Sequence, residues 1–217
     1  MSDNEITHPL FAAVYDTAMP EETMLEPHRR YLVRNLSGDV LDLGAGTGTM
    51  FSYFEDATDR SNATFCAIEP DPHMLKQAKK KAEPLDLDIK LEKARAESLP
   101  YEDDSFDTVI AGIVFCTIQD VGAALDEVAR VLRPGGEFRF LEHVHDDGLQ
   151  GKVQSAINPA WKRAIGGCQL TRDTVAAFAG HDAFDAVEIE EVGIGVPPLK
   201  PFVRGQLRRR SPAHFWE

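Results

Sequence analysis

The stretch Val40–Met50, VLDLGAGTGTM, decides how the rest of the chain is read. Val40, Leu41 and Leu43 form an apolar lead-in, the mark of a buried strand. Gly44, Gly46 and Gly48 follow at every second position, where missing side chains let the backbone turn tightly and approach a ligand. Met50, Phe51 and Phe54 read as the packing face of a short helix. A strand, a glycine loop and a helix together hold nucleotide-containing cofactors. The dinucleotide fingerprint needs G-x-G-x-x-G, but here Thr49 stands at the third glycine position. Asp42, two residues before the first glycine, is also foreign to that pattern. No Gly-Lys-Ser/Thr follows, so a phosphate-cradling P-loop is excluded.

Working outward, strands and helices alternate, which implies a mainly parallel sheet with helices on both faces. Residues 9–36 read as two helices. The second carries Met24, Leu25, His28, Leu32 and Leu36 at near-helical spacing. Strands are expected at Asp39–Leu43, Thr64–Ile68, around Ile89, at Thr108–Ile118, at Glu137–Val144, at 186–192 and within Phe202–Arg208. Leu87, Ile89 and Leu91 alternate with charged residues, which places that strand at a sheet edge with one wet face. Thr108–Ile118 is almost wholly apolar, as a central strand should be. Asp71-Pro72 is an N-cap followed by proline at the first helical position. Helices are also expected at Asp120–Leu132, ended by Arg133–Gly136, at 149–164, and at 172–180 with Thr171 as N-cap.

The chain has 217 residues, the size of one domain. The reading is 1–36 as an N-terminal helical cap, 37–145 as a cofactor-binding core, and 146–217 as acceptor-side helices with the last two strands. No apolar run approaches the roughly 20 residues of a bilayer span, and the polar N-terminus is no secretory signal. A cytoplasmic location is expected. Cys66, Cys116 and Cys168 are far apart and odd in number, which argues against a disulfide framework and a zinc cluster; no metal is expected. A metal site from His143, His145 and Asp146 lacks further ligands at motif spacing. The net charge of −13 repels nucleic-acid phosphates. With arginine outnumbering lysine, it is also the pattern of a high-salt cytoplasm, or of a merely acidic mesophile; stability against KCl separates the two.

Further motifs fall in order. Glu69 ends the second strand, roughly 20 residues past the glycines, where a carboxylate accepts both ribose hydroxyls. Arg95–Gly112, RAESLPYEDDSFDTVIAG, and the later LDEVARVLRPGGEF complete the series. Together these resemble the class I S-adenosylmethionine (SAM)-dependent methyltransferases, strongly over residues 35–145. The resemblance implies a Rossmann-like seven-stranded sheet of order 3-2-1-4-5-7-6 with the last strand antiparallel. It implies SAM as cofactor, with S-adenosylhomocysteine as product. Gly44, Gly46 and Gly48, with Asp42 ahead of them, then cradle the methionine end, Glu69 takes the ribose, Ala96 and Glu97 lie near the adenine, and Ala45, Pro70 and Met74 also belong to the cofactor site. Arg95 replaces an acid common in the family. FAAVYD (Phe11–Asp16) looks like the family's entry helix and adds Tyr15.

FLEHV, NPAWKRAIGGCQLTRDT and PFVRGQLR resemble, less specifically, the small thiol methyltransferase-like branch, which sits in a broader family with quinone-biosynthesis C-methyltransferases. No counterpart of the membrane-anchoring N-terminal helix of the animal enzymes is expected. Methyl transfer from a sulfonium is an in-line displacement that needs alignment and dryness above all. A thiolate acceptor needs only deprotonation, whereas a hydroxyl or carbon acid needs a base. His143 and Glu142, at the end of the fifth strand, are the candidate catalytic residues, His143 as base or acceptor-orienting group. Cys116 and Cys66 read as small core hydrophobes. Cys168 reads as part of an acceptor lid or as a packed loop thiol. The basic RGQLRRRSPAHFWE reads as a solvated strand end or as a site for an anionic substrate or membrane head groups. The function read here is methyl transfer to a small-molecule acceptor, a thiol or lipophilic compound. Alternatives are a C- or O-methyltransferase on a quinone-like or phenolic precursor, a catalytically silent SAM-binding protein, and an NAD oxidoreductase. The oligomeric state stays open.

Overall fold

A computed structural model describes residues 6–18, 24–55 and 63–211. In chain order the elements are α1 (Pro9–Ala18), α2 (Glu26–Leu32), β1 (Gly38–Leu43), α3 (Phe51–Glu55), β2 (Ala63–Ile68), α4 (Pro72–Ala82), β3 (Ile89–Glu92), β4 (Phe106–Gly112), α5 (Val121–Val131), β5 (Leu132–His143), α6 (Leu149–Ala164), α7 (Thr174–Ala179), β6 (Phe184–Val192) and β7 (Phe202–Arg209). The strands form one sheet of order β3-β2-β1-β4-β5-β7-β6. β3 through β5 pair in parallel, and β7 runs antiparallel to both β5 and β6. The expected order is thus the observed one, with β3 at the edge.

Strand side chains alternate between two cores. Leu41, Leu43, Val109, Ala111, Phe138 and Phe140 pack with α5 and α7. Val40, Phe65, Ala67, Ile110 and Leu141 pack with α2, α3 and α4 on the other face. Period-two alternation through a buried sheet makes this division.

Three boundaries differ from the sequence reading. β4 ends at Gly112, not at Ile118, because Ile113 takes φ +63°, a region that a β-branched residue adopts only under constraint. Its N–H still reaches Leu141 O at 2.7 Å. The apolar run continues because Val114, Phe115, Cys116 and Ile118 are a buried loop, not a strand. Second, α5 stops at Val131 and Arg133–Gly136 are drawn into β5 as a bulge: Leu132 faces Phe106, then Glu137 faces Thr108. Third, Asp173 and not Thr171 caps α7, accepting from Ala176 N at 2.9 Å. Thr171 Oγ1 instead accepts from Asn158 Nδ2, tying the loop to α6.

Candidate active site

A cavity of about 540 Å³ opens where β1, β2 and β4 end. That is where ligands bind in open α/β sheets. The glycine loop forms its floor. Ala45 N donates to Ile68 O at 2.8 Å, which fastens the loop to β2. Gly44 has φ +75°, and a Cβ there would lie 2.6 Å from Val114 Cγ1, so only glycine fits. Gly46 has φ +58°, and its Cβ would enter open space inside the cavity. Gly48 shapes the turn from behind, against Phe51 and Ala78, and does not line the cavity.

Two buried carboxylates face this space. Burial pushes Asp42 up to about 7; the Arg29 charge opposes this and Glu69 adds to it. Asp42 Oδ2 has no hydrogen-bond partner among the described residues. Glu69 is also pushed up to about 7 by burial, against the pull of two backbone donors. These are Asp71 N on Oε1 at 2.8 Å and Gly46 N on Oε2 at 2.9 Å. Each oxygen keeps a further lone pair for a hydroxyl donor. Asp71 caps α4 through His73 N and Met74 N, as its position before Pro72 implies. Pro70, Met74, Ala96 and Glu97 line the adjoining wall. Arg95 donates to Glu97 at 3.1 Å, and Gln119 N bonds the same oxygen at 3.1 Å. Burial raises the Glu97 carboxyl, but these donors outweigh it and hold it below its usual range. The residue in place of the family's acid is therefore spent on its neighbour.

Tyr15 and Phe11 line the cavity from α1. His8 N donates to Asp71 Oδ2 at 2.5 Å, Gln77 Nε2 to Ala12 O at 2.7 Å, and Asp16 pairs with Lys81 at 2.7 Å. Sequence reasoning passed over Arg29, which is 2% exposed, lines the cavity, and points Nη1 at Met50 Sδ, 3.3 Å away. A signal was present: Leu25, Arg29, Leu32 and Leu36 are spaced four, three and four apart, which puts an arginine on the buried helix face. His28, assigned to that face, instead contacts Arg204.

Residues 162–172 form a further wall of the cavity, through Lys162, Gly166, Gly167, Gln169 and Arg172. Arg172 donates to Ile118 O. Neither His143 nor Glu142 is among the residues lining the cavity; both are buried behind its wall. β5 ends at His143, and the buried loop after β4 closes over both. Glu142 Oε1 accepts Val114 N and Phe115 N at 2.8 and 3.0 Å, holding that loop. Burial pushes Glu142 up to about 7, against those two donors. His145 turns away to Gly151 O and Ser155 Oγ. Cys168 is a packed thiol at 5% exposure, beside His143 and Cys116. Residues 212–217 of the basic C-terminal stretch lie outside the described residues. Within it Arg209 and Arg210 pair with Asp104 and Asp185.

Sheet order, glycine loop and strand-end carboxylate define a nucleoside-binding methyltransferase fold. Residues 41–140 match the family described as a methyltransferase domain, and the chain belongs to the class I SAM-dependent methyltransferases. Human thiol S-methyltransferase TMT1B is 34% identical over 166 residues, covering 74% of this chain and 64% of that protein. The ubiquinone/menaquinone biosynthesis C-methyltransferase UbiE of Rickettsia massiliae is 39% identical over 114 residues, 51% of this chain and 46% of that one. A SAM-dependent methyltransferase from Aquifex aeolicus shares the fold with TM-score 0.63 at 16% identity, over 92% of this chain and 98% of that one. The chain spans less than two thirds of the length of the curated relatives it matches first. Among the described residues no helix is long and apolar enough to cross a membrane.

Proposed function

We propose that this chain moves the methyl group of SAM to a small-molecule acceptor, with a thiol as the leading class. The observation that carries the reading is the division of charge around one cavity. Asp42, Glu69, Asp71 and Glu97 lie on the wall built from the β1, β2 and β3 ends, with Arg29 beside Asp42 and Arg95 paired to Glu97, while residues 162–172 bring Lys162 and Arg172 and no acid. Arg29 faces the carboxylate of the methionine end, with Gly44, Ala45 and Gly46 beneath it. Glu69 takes the ribose hydroxyls, and Ala96 with Met74 flanks the adenine. Tyr15 closes the top. SAM brings an electrophilic methyl on a positively charged sulfur; the chain aligns the acceptor with it and excludes water.

The cationic wall holds no carboxylate or imidazole as base for a hydroxyl or carbon acid. It does favour the anionic form of an acceptor that ionises near neutrality by itself, which a thiol does. The similarity of human TMT1B, named a thiol S-methyltransferase, points the same way. A quinone-precursor ring carbon is the second reading, on the similarity to UbiE. The test is release of S-adenosylhomocysteine by the purified chain over a panel of alkyl thiols and phenolic acceptors. Turnover with thiols is expected. SAM binding with turnover only on phenols removes the thiol reading, and SAM binding with no turnover on any acceptor leaves a silent binding module.

A further inference from the structure

Cys116, His143 and Cys168 are separated by 27 and 25 positions in sequence, and no motif spacing links them. The fold nevertheless brings Cys116 Sγ, Cys168 Sγ and a ring nitrogen of His143 within 4.8 Å of one another, all buried. Three segments supply them: the loop after β4, the last residue of β5, and the loop between α6 and α7. His143 Nε2 lies 3.2 Å from Cys168 Sγ, and Trp161 Nε1 donates to the same sulfur at 3.4 Å. His143 Nδ1 has no hydrogen-bond partner among the described residues. The side chain therefore commits only its Nε2 end, and commits it to sulfur.

We propose that these three residues bind one thiophilic closed-shell cation, Zn²⁺ or Cu⁺, at a site behind the acceptor wall. Two sulfurs and an imidazole nitrogen are the donor set such ions select over oxygen-seeking Mg²⁺ or Ca²⁺. A metal–sulfur bond of about 2.3 Å places two sulfurs on one trigonal ion roughly 4 Å apart. The sulfurs, at most 4.8 Å apart, are within an ångström of that, while the His143 and Cys168 atoms, now 3.2 Å apart, open slightly to admit the ion. Each donor gives a lone pair, and any proton on Cys116 Sγ, Cys168 Sγ or His143 Nε2 leaves for solvent as the ion enters.

The position gives the ion a mechanical role. Gln169 N already donates to Cys116 O at 3.0 Å, and Gln169 lines the cavity. Joining Cys116 to Cys168 through an ion clamps the acceptor-side loop to the end of β5. This inference rests on the side-chain cluster and not on the methyl-transfer reading.

The test uses the full chain, reduced and stripped by chelator. Cd²⁺ is titrated as a spectroscopic stand-in for Zn²⁺, and Cu⁺ is titrated anaerobically in a parallel arm. Expected are one equivalent bound in native mass spectrometry, a thiolate-to-cadmium charge-transfer band, changed emission from Trp161, and a raised melting temperature. Competition between Zn²⁺ and Cu⁺ tells which ion is preferred. Cys168→Ser and Cys116→Ser should each lower affinity by more than the roughly 10–100-fold that losing a supporting hydrogen bond costs, whereas Cys66→Ser should not change it. SAM binding, measured on every variant, reports whether the fold survives. No one-to-one complex at micromolar metal would overturn the proposal. So would a complex that persists in a folded Cys168→Ser protein, or a Cys116–Cys168 disulfide formed in air by a chain that takes up no metal when reduced.

Discussion

The two walls of the cavity are built differently. The donor wall comes from contiguous turns at strand ends: the glycine loop after β1, Glu69–Asp71 after β2, and Ala96–Glu97 after β3. Its polar groups are fixed by backbone, as when Gly46 N and Asp71 N hold the Glu69 carboxylate. The other wall leans more on side chains, with Asn158 Oδ1 accepting Leu170 N and Arg172 reaching Ile118 O beside the backbone bond from Gln169 N to Cys116 O. A wall made of backbone turns can serve one ligand across many proteins, while a side-chain-held loop can be altered without disturbing it.

The contrast breaks hardest at Gly46. Gly46→Val directs a branched side chain into the cavity at a backbone angle that valine resists. SAM binding should fall on the order of 100-fold or beyond detection by calorimetry, with acceptor-side substitutions leaving it intact. Normal affinity would mean that the loop does not hold the donor. Glu69→Ala removes a charge-assisted two-point contact and should weaken SAM by about 10-fold or more. The same carboxylate gives the pH test. Its folded value is raised, as is that of Asp42, so their stabilising contribution is fully present below about pH 4 and lost as pH rises through about 7. SAM binding needs the ionised acceptor, so affinity should climb as pH rises through about 7. In Glu69→Gln that climb should flatten. The smallest effect belongs to the other wall. Gln169→Ala should raise the acceptor KM a few-fold, roughly what one neutral hydrogen bond is worth, and leave SAM affinity unchanged. A matched loss of SAM affinity would erase the distinction between the walls.

The same asymmetry explains what was legible in the chain. Backbone-built features are local, so Gly44, Gly46, Glu69 and the Asp71 cap could be read from spacing, and strand alternation carried most of the sheet. Arg29 was harder, because a charged residue on an apolar stripe is assumed to point outward; here it is the residue buried beside Asp42. β4 looked longer than it is because burial, not strand geometry, makes residues 114–118 apolar, and the positive φ of Ile113 leaves no mark in sequence. The cluster of Cys116, His143 and Cys168 was invisible for a related reason: cysteine spacing reports only sites made within one segment.

α1 is fastened to two separate parts of the cavity lining. Its Asp16 takes Thr47 and Lys81 on the donor side, while Phe11 packs so closely on Gly166 that a Cβ there would lie 2.7 Å from the ring. A displacement of this helix wide enough to pass a nucleoside loosens both walls together. Under the proposed reaction, the ten residues of α1 must release Thr47, Lys81 and Gly166 in one motion before a nucleoside can leave past them.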